Sequence, residues 1–175
     1  MEIIMKKALI IIDMQNDFVT GSLGTKEAEE IVGAVEAKVK AAREDKTEIL
    51  FTRDTHGEDY LATKEGRSLP IVHCVKGTDG WEIIDCLKPY ADTVFDKETF
   101  GSMALSDYVA SQNYDAVELA GLCTDICVVS NALLLKARMP EMDISVDPKC
   151  CAGVTPESHT AALLTMQMCQ IQILS

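Results

Sequence analysis

Along the chain, short apolar runs alternate with stretches in which apolar positions recur every three or four residues among charges. Ala8-Leu-Ile-Ile-Ile12 is wholly apolar and mostly β-branched, the pattern of a strand buried on both faces. Ile31, Val35 and Val39 keep helical spacing between charged residues, which predicts a helix from about Glu27 to Arg43. Further strands are predicted at Glu48–Thr52, Thr93–Phe95, Ala116–Ala120, Asp143–Val146 and Ile171–Leu174. Further helices are predicted over Trp81–Leu87, ending near Pro89, and over Met103–Ser111, Thr124–Ala137 and Pro156–Met168. Proline near the start of the last one sacrifices no intrahelical bond. From Asp54 to about Gly80 the periodicity lapses, and a loop of that length is functional or disordered.

Strand and helix therefore alternate throughout. That order predicts an α/β fold, a three-layer sandwich with a six-stranded, mainly parallel sheet covered by helices on both faces. No repeat or linker divides residues 1–175, so a single domain is expected.

Composition narrows the function. A net charge of -12 leaves no basic surface for phosphates, which argues against a nucleic-acid partner. No apolar run reaches the length of a membrane span, and Met1–Met5 is too short for a secretory core. Seven cysteines, an odd number, read as reduced thiols in a cytoplasmic protein.

In an open α/β sheet, ligands bind beyond the carboxyl ends of the strands. The residues following those ends here are Asp13, then Asp54 and His56, then Lys97, then the turn Gly121-Leu-Cys-Thr-Asp-Ile-Cys127. Each alone has a bland explanation: Asp13 as a cap, Lys97 as a surface charge, Cys127 as core. Together they deliver a carboxylate, a candidate metal pair, an ammonium and a thiol to one rim. Cys127 falls about one turn into its helix, after a Thr-Asp pair suited to capping. The helix dipole and a nearby ammonium are expected to lower its pKa and make it a nucleophile. Free N–H groups of that turn would receive an oxyanion.

Ile12-Asp13-Met-Gln-Asn-Asp17-Phe18, Asp54-Thr-His56, Asp96-Lys97, Gly121-Leu-Cys-Thr-Asp-Ile-Cys127-Val and Pro156-Glu-Ser-His159 together resemble the isochorismatase-like cysteine hydrolases. Within that superfamily the chain looks most like the nicotinamidases. The resemblance implies a Rossmann-like domain and a catalytic triad of Asp13, Lys97 and Cys127. It also implies a cis peptide joining Leu122 to Cys123, with the N–H groups of Cys123 and Cys127 forming an oxyanion hole. The implied reaction deamidates nicotinamide, or pyrazinamide, through a Cys127 thioester.

The resemblance further implies a divalent metal, Zn²⁺ foremost and Fe²⁺ or Mn²⁺ as alternatives, on Asp54, His56, a further ligand and His73. Glu65 is the choice for the remaining ligand, with Glu58 and Asp59 as competitors. Two of the three histidines fall in this loop; the third, His159, reads as a helix-start residue. Phe18 and Leu122 are implied substrate contacts. Where relatives often carry a second aromatic, the chain reads Leu69-Pro70-Ile71, so Trp81 or Tyr60 is a candidate for the missing face.

Two rivals remain open at this level. One is a metal-independent amidase of the same superfamily, acting on a carbamoyl, ureido or maleamate-like substrate. The other is not an enzyme: a thiol redox or interaction protein using Cys123 and Cys127. Relatives are commonly oligomeric, which leaves a homo-oligomer open, although Met166 and Met168 read more simply as core.

Overall fold

The computed structural model describes residues 5–175. Six strands form one sheet: β1 (Lys7–Ile12), β2 (Glu48–Asp54), β3 (Thr93–Lys97), β4 (Ala116–Leu122), β5 (Asp143–Ala152) and β6 (Gln172–Ile173). They lie in the order β3-β2-β1-β4-β5-β6, and every pairing between neighbours is parallel. This is the doubly wound order, with its switch point between β1 and β4.

Alternation along β1 divides the core. Leu9 and Ile11 face a layer that includes Val35, Val39 and Phe51; Ala8, Ile10 and Ile12 face one that includes Leu119, Val128, Leu135 and Met166. The first layer is closed by α2 (Lys26–Glu44), which follows the short α1 (Asn16–Val19). The Thr25 hydroxyl caps α2 by accepting from the Ala28 N–H at 3.1 Å. The second layer is closed by α4 (Met103–Gln112), α5 (Val129–Arg138) and α6 (Pro156–Met168), of which α6 carries a Thr155–Ser158 capping box.

Several elements depart from the sequence pattern. Trp81–Leu87 is not a helix; a single 3₁₀ turn, Asp79–Trp81, precedes it and another, Lys88–Tyr90, follows. Tertiary bonding decides this. Ile83 bridges Gln15, the Asn16 N–H reaches the Glu82 carbonyl at 2.9 Å, and the Ile84 N–H reaches the Met14 carbonyl at 3.0 Å. Extended backbone satisfies the turn after β1 while Ile83, Ile84 and Leu87 are buried.

The long segment after β2 is ordered by a 3₁₀ turn, Tyr60–Ala62, and by α3 (Lys64–Ser68). The helix expected from Thr124 begins instead with a π-helical turn, Thr124–Val128, before α5. Met166 is fully buried, but Met168 is 77% exposed and is not core. Among the described residues, no helix is long and apolar enough to cross a membrane.

Candidate active site

Residues at the carboxyl ends of β1, β2, β3 and β4 converge on one another. Asp13 follows β1 directly, in a left-handed backbone conformation (φ 47°), and is fully buried. The Thr52 hydroxyl of β2 donates to Asp13 Oδ1 at 2.6 Å and accepts from the Asp13 N–H at 3.2 Å. Lys97, the last residue of β3, is also buried and places Nζ 2.6 Å from Asp13 Oδ2, an ion contact rather than a directed hydrogen bond. The same nitrogen lies 3.4 Å from Cys127 Sγ and 3.2 Å from Asp54 Oδ1. Thiol, carboxylate and ammonium thus meet at the switch point.

Cys127 sits in the π-helical turn after β4, entered through a cis peptide between Leu122 and Cys123. Gly121 precedes it at φ 121°, where a Cβ would strike the Ile12 carbonyl oxygen, so β4 lies against β1 at close range. Thr124 and Asp125 do not cap the helix: the Thr124 hydroxyl pairs with His159, and the Asp125 carboxylate accepts from the Val154 N–H. Asn131 holds the turn from behind. Its Nδ2 donates to the carbonyls of Cys127 at 2.8 Å and Phe100 at 3.0 Å, while Oδ1 accepts from the Ser102 N–H at 2.9 Å.

Electrostatics correct one expectation. The Cys127 pKa is raised, not lowered: burial and the Asp13 charge outweigh the Lys97 ammonium. Burial also raises Asp13, against the opposing pull of Lys97. Lys97 is held above its ordinary value, since Asp13, Cys127 and Asp54 together overcome its desolvation. The resting thiol therefore keeps its proton beside a carboxyl group of unusually high proton affinity.

Asp54, His56, Glu65 and His73 form a second cluster whose ligand atoms all lie within 4.8 Å of one another. Local bonding builds it from distant segments. The Gln15 side chain brackets the Asp54 backbone, accepting from its N–H at 2.7 Å and donating to its carbonyl at 2.8 Å. His56 joins the His73–Val75 segment through a backbone bond from its N–H to the Cys74 carbonyl at 2.9 Å. The Asp17 carboxylate anchors the Cys74 N–H at 2.8 Å. Glu65 comes from the first turn of α3; the competing Glu58 and Asp59 are exposed and outside the cluster.

The donor set suits a divalent cation. His73 Nδ1 donates to the Ile71 carbonyl at 2.8 Å, so in the neutral imidazole Nε2 carries the lone pair, 3.5 Å from Asp54 Oδ2. Two acceptors facing each other call for a positive charge between them. Accordingly, hydrogen bonding to Asp54 raises the His73 pKa despite burial, while His56, His73 and Lys97 hold Asp54 well below the usual carboxylate range against its own desolvation.

A mostly apolar cavity of about 350 Å³ connects both clusters. Phe18 and Leu122 line it, together with Leu69, Ile126, Val154 and an aromatic the sequence pattern did not single out, Phe100. Trp81 and Tyr60 do not line it. Trp81 Nε1 donates to Thr55 Oγ1 at 2.8 Å under the Arg53 guanidinium, and Tyr60 is buried behind the histidines with its hydroxyl on the Leu69 carbonyl. Gln15, Thr52 and Asn131 take their roles from partners distant in the chain, Asp54, Asp13 and the Phe100–Ser102 segment respectively, and Phe100 takes its role from the cavity it lines. For Gln15 and Thr52 the available signal was a polar residue at or just beyond the end of an apolar strand run.

Fold and site define an α/β protein with a buried thiol–carboxylate–ammonium cluster at the sheet's switch point. The chain belongs to the isochorismatase family, matching the Isochorismatase domain over residues 7–175. A nicotinamidase/pyrazinamidase of Bacillus subtilis superposes with a TM-score of 0.86 at 30% identity, covering 98% of this chain and 100% of that one. A pyrazinamidase of Pyrococcus horikoshii, solved in complex with zinc, gives 0.85 at 27% identity, with 97% and 99% covered. The nicotinamidase/pyrazinamidase of Mycobacterium tuberculosis is 27% identical over 184 residues, 95% of this chain and 97% of its own length.

Proposed function

We propose that this chain, acting as a single domain, is an amidohydrolase that converts nicotinamide, and pyrazinamide, to the acid and ammonia. One observation carries the reading: Lys97 Nζ contacts the Asp13 carboxylate, the Cys127 thiol and the Asp54 carboxylate of the four-donor cluster, and Cys127 and Asp54 line one cavity. Family relatives that deamidate the same pair of amides support it.

Asp13 accepts the Cys127 proton as Sγ attacks the carboxamide carbon. Lys97 offsets the negative charge that remains on the pair. The N–H groups of Cys123 and Cys127 stand in the turn that carries the thiol, where they can receive the oxyanion. Asp13 then returns the proton to nitrogen, the C–N bond breaks, and ammonia leaves a Cys127 thioester. Water deprotonated by Asp13 attacks that thioester, and the acid departs as Sγ is reprotonated.

Asp54, His56, Glu65 and His73 would hold a divalent ion, Zn²⁺ foremost, with Fe²⁺ or Mn²⁺ as alternatives. When bound it would supply a Lewis acid for the ring nitrogen, so its contribution is positioning. Phe18, Leu122 and Phe100 would flank the ring. The free thiols suit a reducing, cytoplasmic setting.

The test is ammonia release from a panel containing nicotinamide, pyrazinamide and a ureido amide, with metal content measured on the same sample. Turnover of the two pyridine-type amides, and an acyl mass on Cys127 after acid quench, is expected. Preference for the ureido compound by a metal-free enzyme would overturn the reading.

A further inference from the structure

The nucleophile turn is held from outside the reaction cavity by the start of α6. His159 Nδ1 lies 2.7 Å from the Thr124 hydroxyl, and Thr124 is fully buried. Among the described residues, His159 is that hydroxyl's one hydrogen-bond partner. A second tie runs beside it, from the Val154 N–H to both Asp125 carboxylate oxygens at 3.2 Å. Gly153 makes this approach possible, since a Cβ there would lie 2.9 Å from the His159 backbone nitrogen. Thr124 stands between Cys123 and Cys127, the residues whose N–H groups the proposed mechanism uses.

We propose that His159 is a positioning residue: its neutral imidazole accepts the Thr124 hydroxyl proton and so fixes the turn that presents Cys127 and the Cys123 and Cys127 N–H groups. The inference rests on the amidohydrolase reading for its substrate but not for its geometry. A neutral His159 with its proton on Nε2 offers Nδ1 as the acceptor. Protonation makes Nδ1 a donor, reverses the bond and leaves the buried hydroxyl proton without an acceptor.

The groups facing His159 are Asp125 on the turn, Glu27 and Glu30 of α2 and Cys151 of β5; all but Asp125 line with it a separate cavity of about 230 Å³. Burial lowers the His159 pKa, outweighing the attraction of Asp125. The acceptor form therefore prevails at neutral pH, and the bond reverses only on acidification.

The experiment measures kcat and KM for nicotinamide between about pH 5 and 8, the alkylation rate of Cys127 by iodoacetamide, and urea midpoints. It compares wild type with His159→Ala, Thr124→Val and His159→Asn, the last retaining an acceptor oxygen that does not titrate. His159→Ala and Thr124→Val are expected to lower kcat about tenfold or more with KM within about twofold. His159→Asn should restore most of kcat and lose the wild-type acid limb. Equal damage in His159→Asn and His159→Ala, or an acid limb retained in His159→Asn, overturns the proposal. If nicotinamide is not turned over at all, the functional reading fails and alkylation decides this one. Slower alkylation in His159→Ala and Thr124→Val, but not in His159→Asn, upholds it, and equal rates overturn it. Should His159→Ala fail to fold, the near-isosteric Thr124→Val carries the same comparison.

Discussion

Asp54 and Lys97 share a contact that fuses two sites into one. Asp54 Oδ1 lies 3.2 Å from the Lys97 ammonium, while Asp54 Oδ2 lies 2.9 Å from His56 Nε2. One carboxylate therefore belongs both to the charge cluster around the thiol and to the four-donor cluster proposed to hold a metal. The Lys97 ammonium is the contact that links this four-donor cluster to the thiol.

That arrangement separates two substitutions that would otherwise look alike. His73→Ala removes one ligand and leaves the Lys97–Asp13–Cys127 contacts in place. Asp54→Ala removes a ligand and one of the two carboxylates that balance Lys97. Both variants are expected to lose bound metal, by about tenfold or more in affinity. Only Asp54→Ala should also change the alkylation rate of Cys127 measured in chelator. Elemental analysis and peptide mass mapping on the same samples check the distinction.

Lys97→Ala is expected to damage stability as well as activity. It leaves the Asp13 carboxylate fully buried with no cation beside it. Removing one partner of a buried pair costs about 3–5 kcal/mol. The double variant Lys97→Ala/Asp13→Asn, which removes the unpaired Asp13 charge and leaves Asp54 beside the histidines, should recover much of that stability and none of the turnover. Urea unfolding and single-turnover kinetics measure the two effects apart, and a double variant no more stable than Lys97→Ala would refute the account.

The sheet, its parallel pairing and the meeting of Asp13, Lys97 and Cys127 were legible because the three residues stand at or just after the ends of β1, β3 and β4 in local sequence. Asp13 is adjacent to an apolar run, and Cys127 lies in a turn of distinctive composition. Glu65 was legible only through resemblance, since its place beside His56 depends on how α3 folds back. Trp81–Leu87 misled because its apolar residues serve an extended segment bonded to the turn after β1, a partner more than sixty residues away in the chain. The direction of the Cys127 pKa was illegible for a related reason: burial set by α5 and the strands outweighs the neighbouring ammonium.

Away from the site, Lys38 of α2 bridges two strands, lying 2.5 Å from Glu118 of β4 and 2.8 Å from Asp147 of β5. The Lys38 bond holds the Asp147 carboxyl below its usual range, against partial burial. A carboxyl group depressed in the folded state adds stability above its unfolded value, and that gain fades as pH falls through the lower folded value. Lys38 is shifted upward, so its share is present throughout the neutral range and is lost only at strongly alkaline pH. Asp147→Asn should cost about 1 kcal/mol or less at pH 7, as partly exposed pairs do. The difference from wild type should hold down to about the unfolded carboxyl value of 3.8 and be lost only as pH falls through the lower folded value. Urea midpoints across that pH range check the sign; a difference that grows in acid would contradict it.

Phe100 supplies the last test, because it occupies the cavity wall where Trp81 and Tyr60 do not reach. Its ring is 41% exposed, available to a flat substrate rather than spent on the core. Its backbone carbonyl is held by Asn131 at 3.0 Å, a bond that any side chain at this position retains. Phe100→Ala should therefore leave the loop and the nucleophile turn in place while removing one aromatic face, a contact worth about 1 kcal/mol. The expected result is a KM for nicotinamide raised about fivefold with kcat within about threefold, the mark of lost uniform binding. Leu69→Trp, which places an aromatic on the same cavity, should act in the opposite direction. An unchanged KM in Phe100→Ala would mean that the ring of the substrate rests on Phe18 alone.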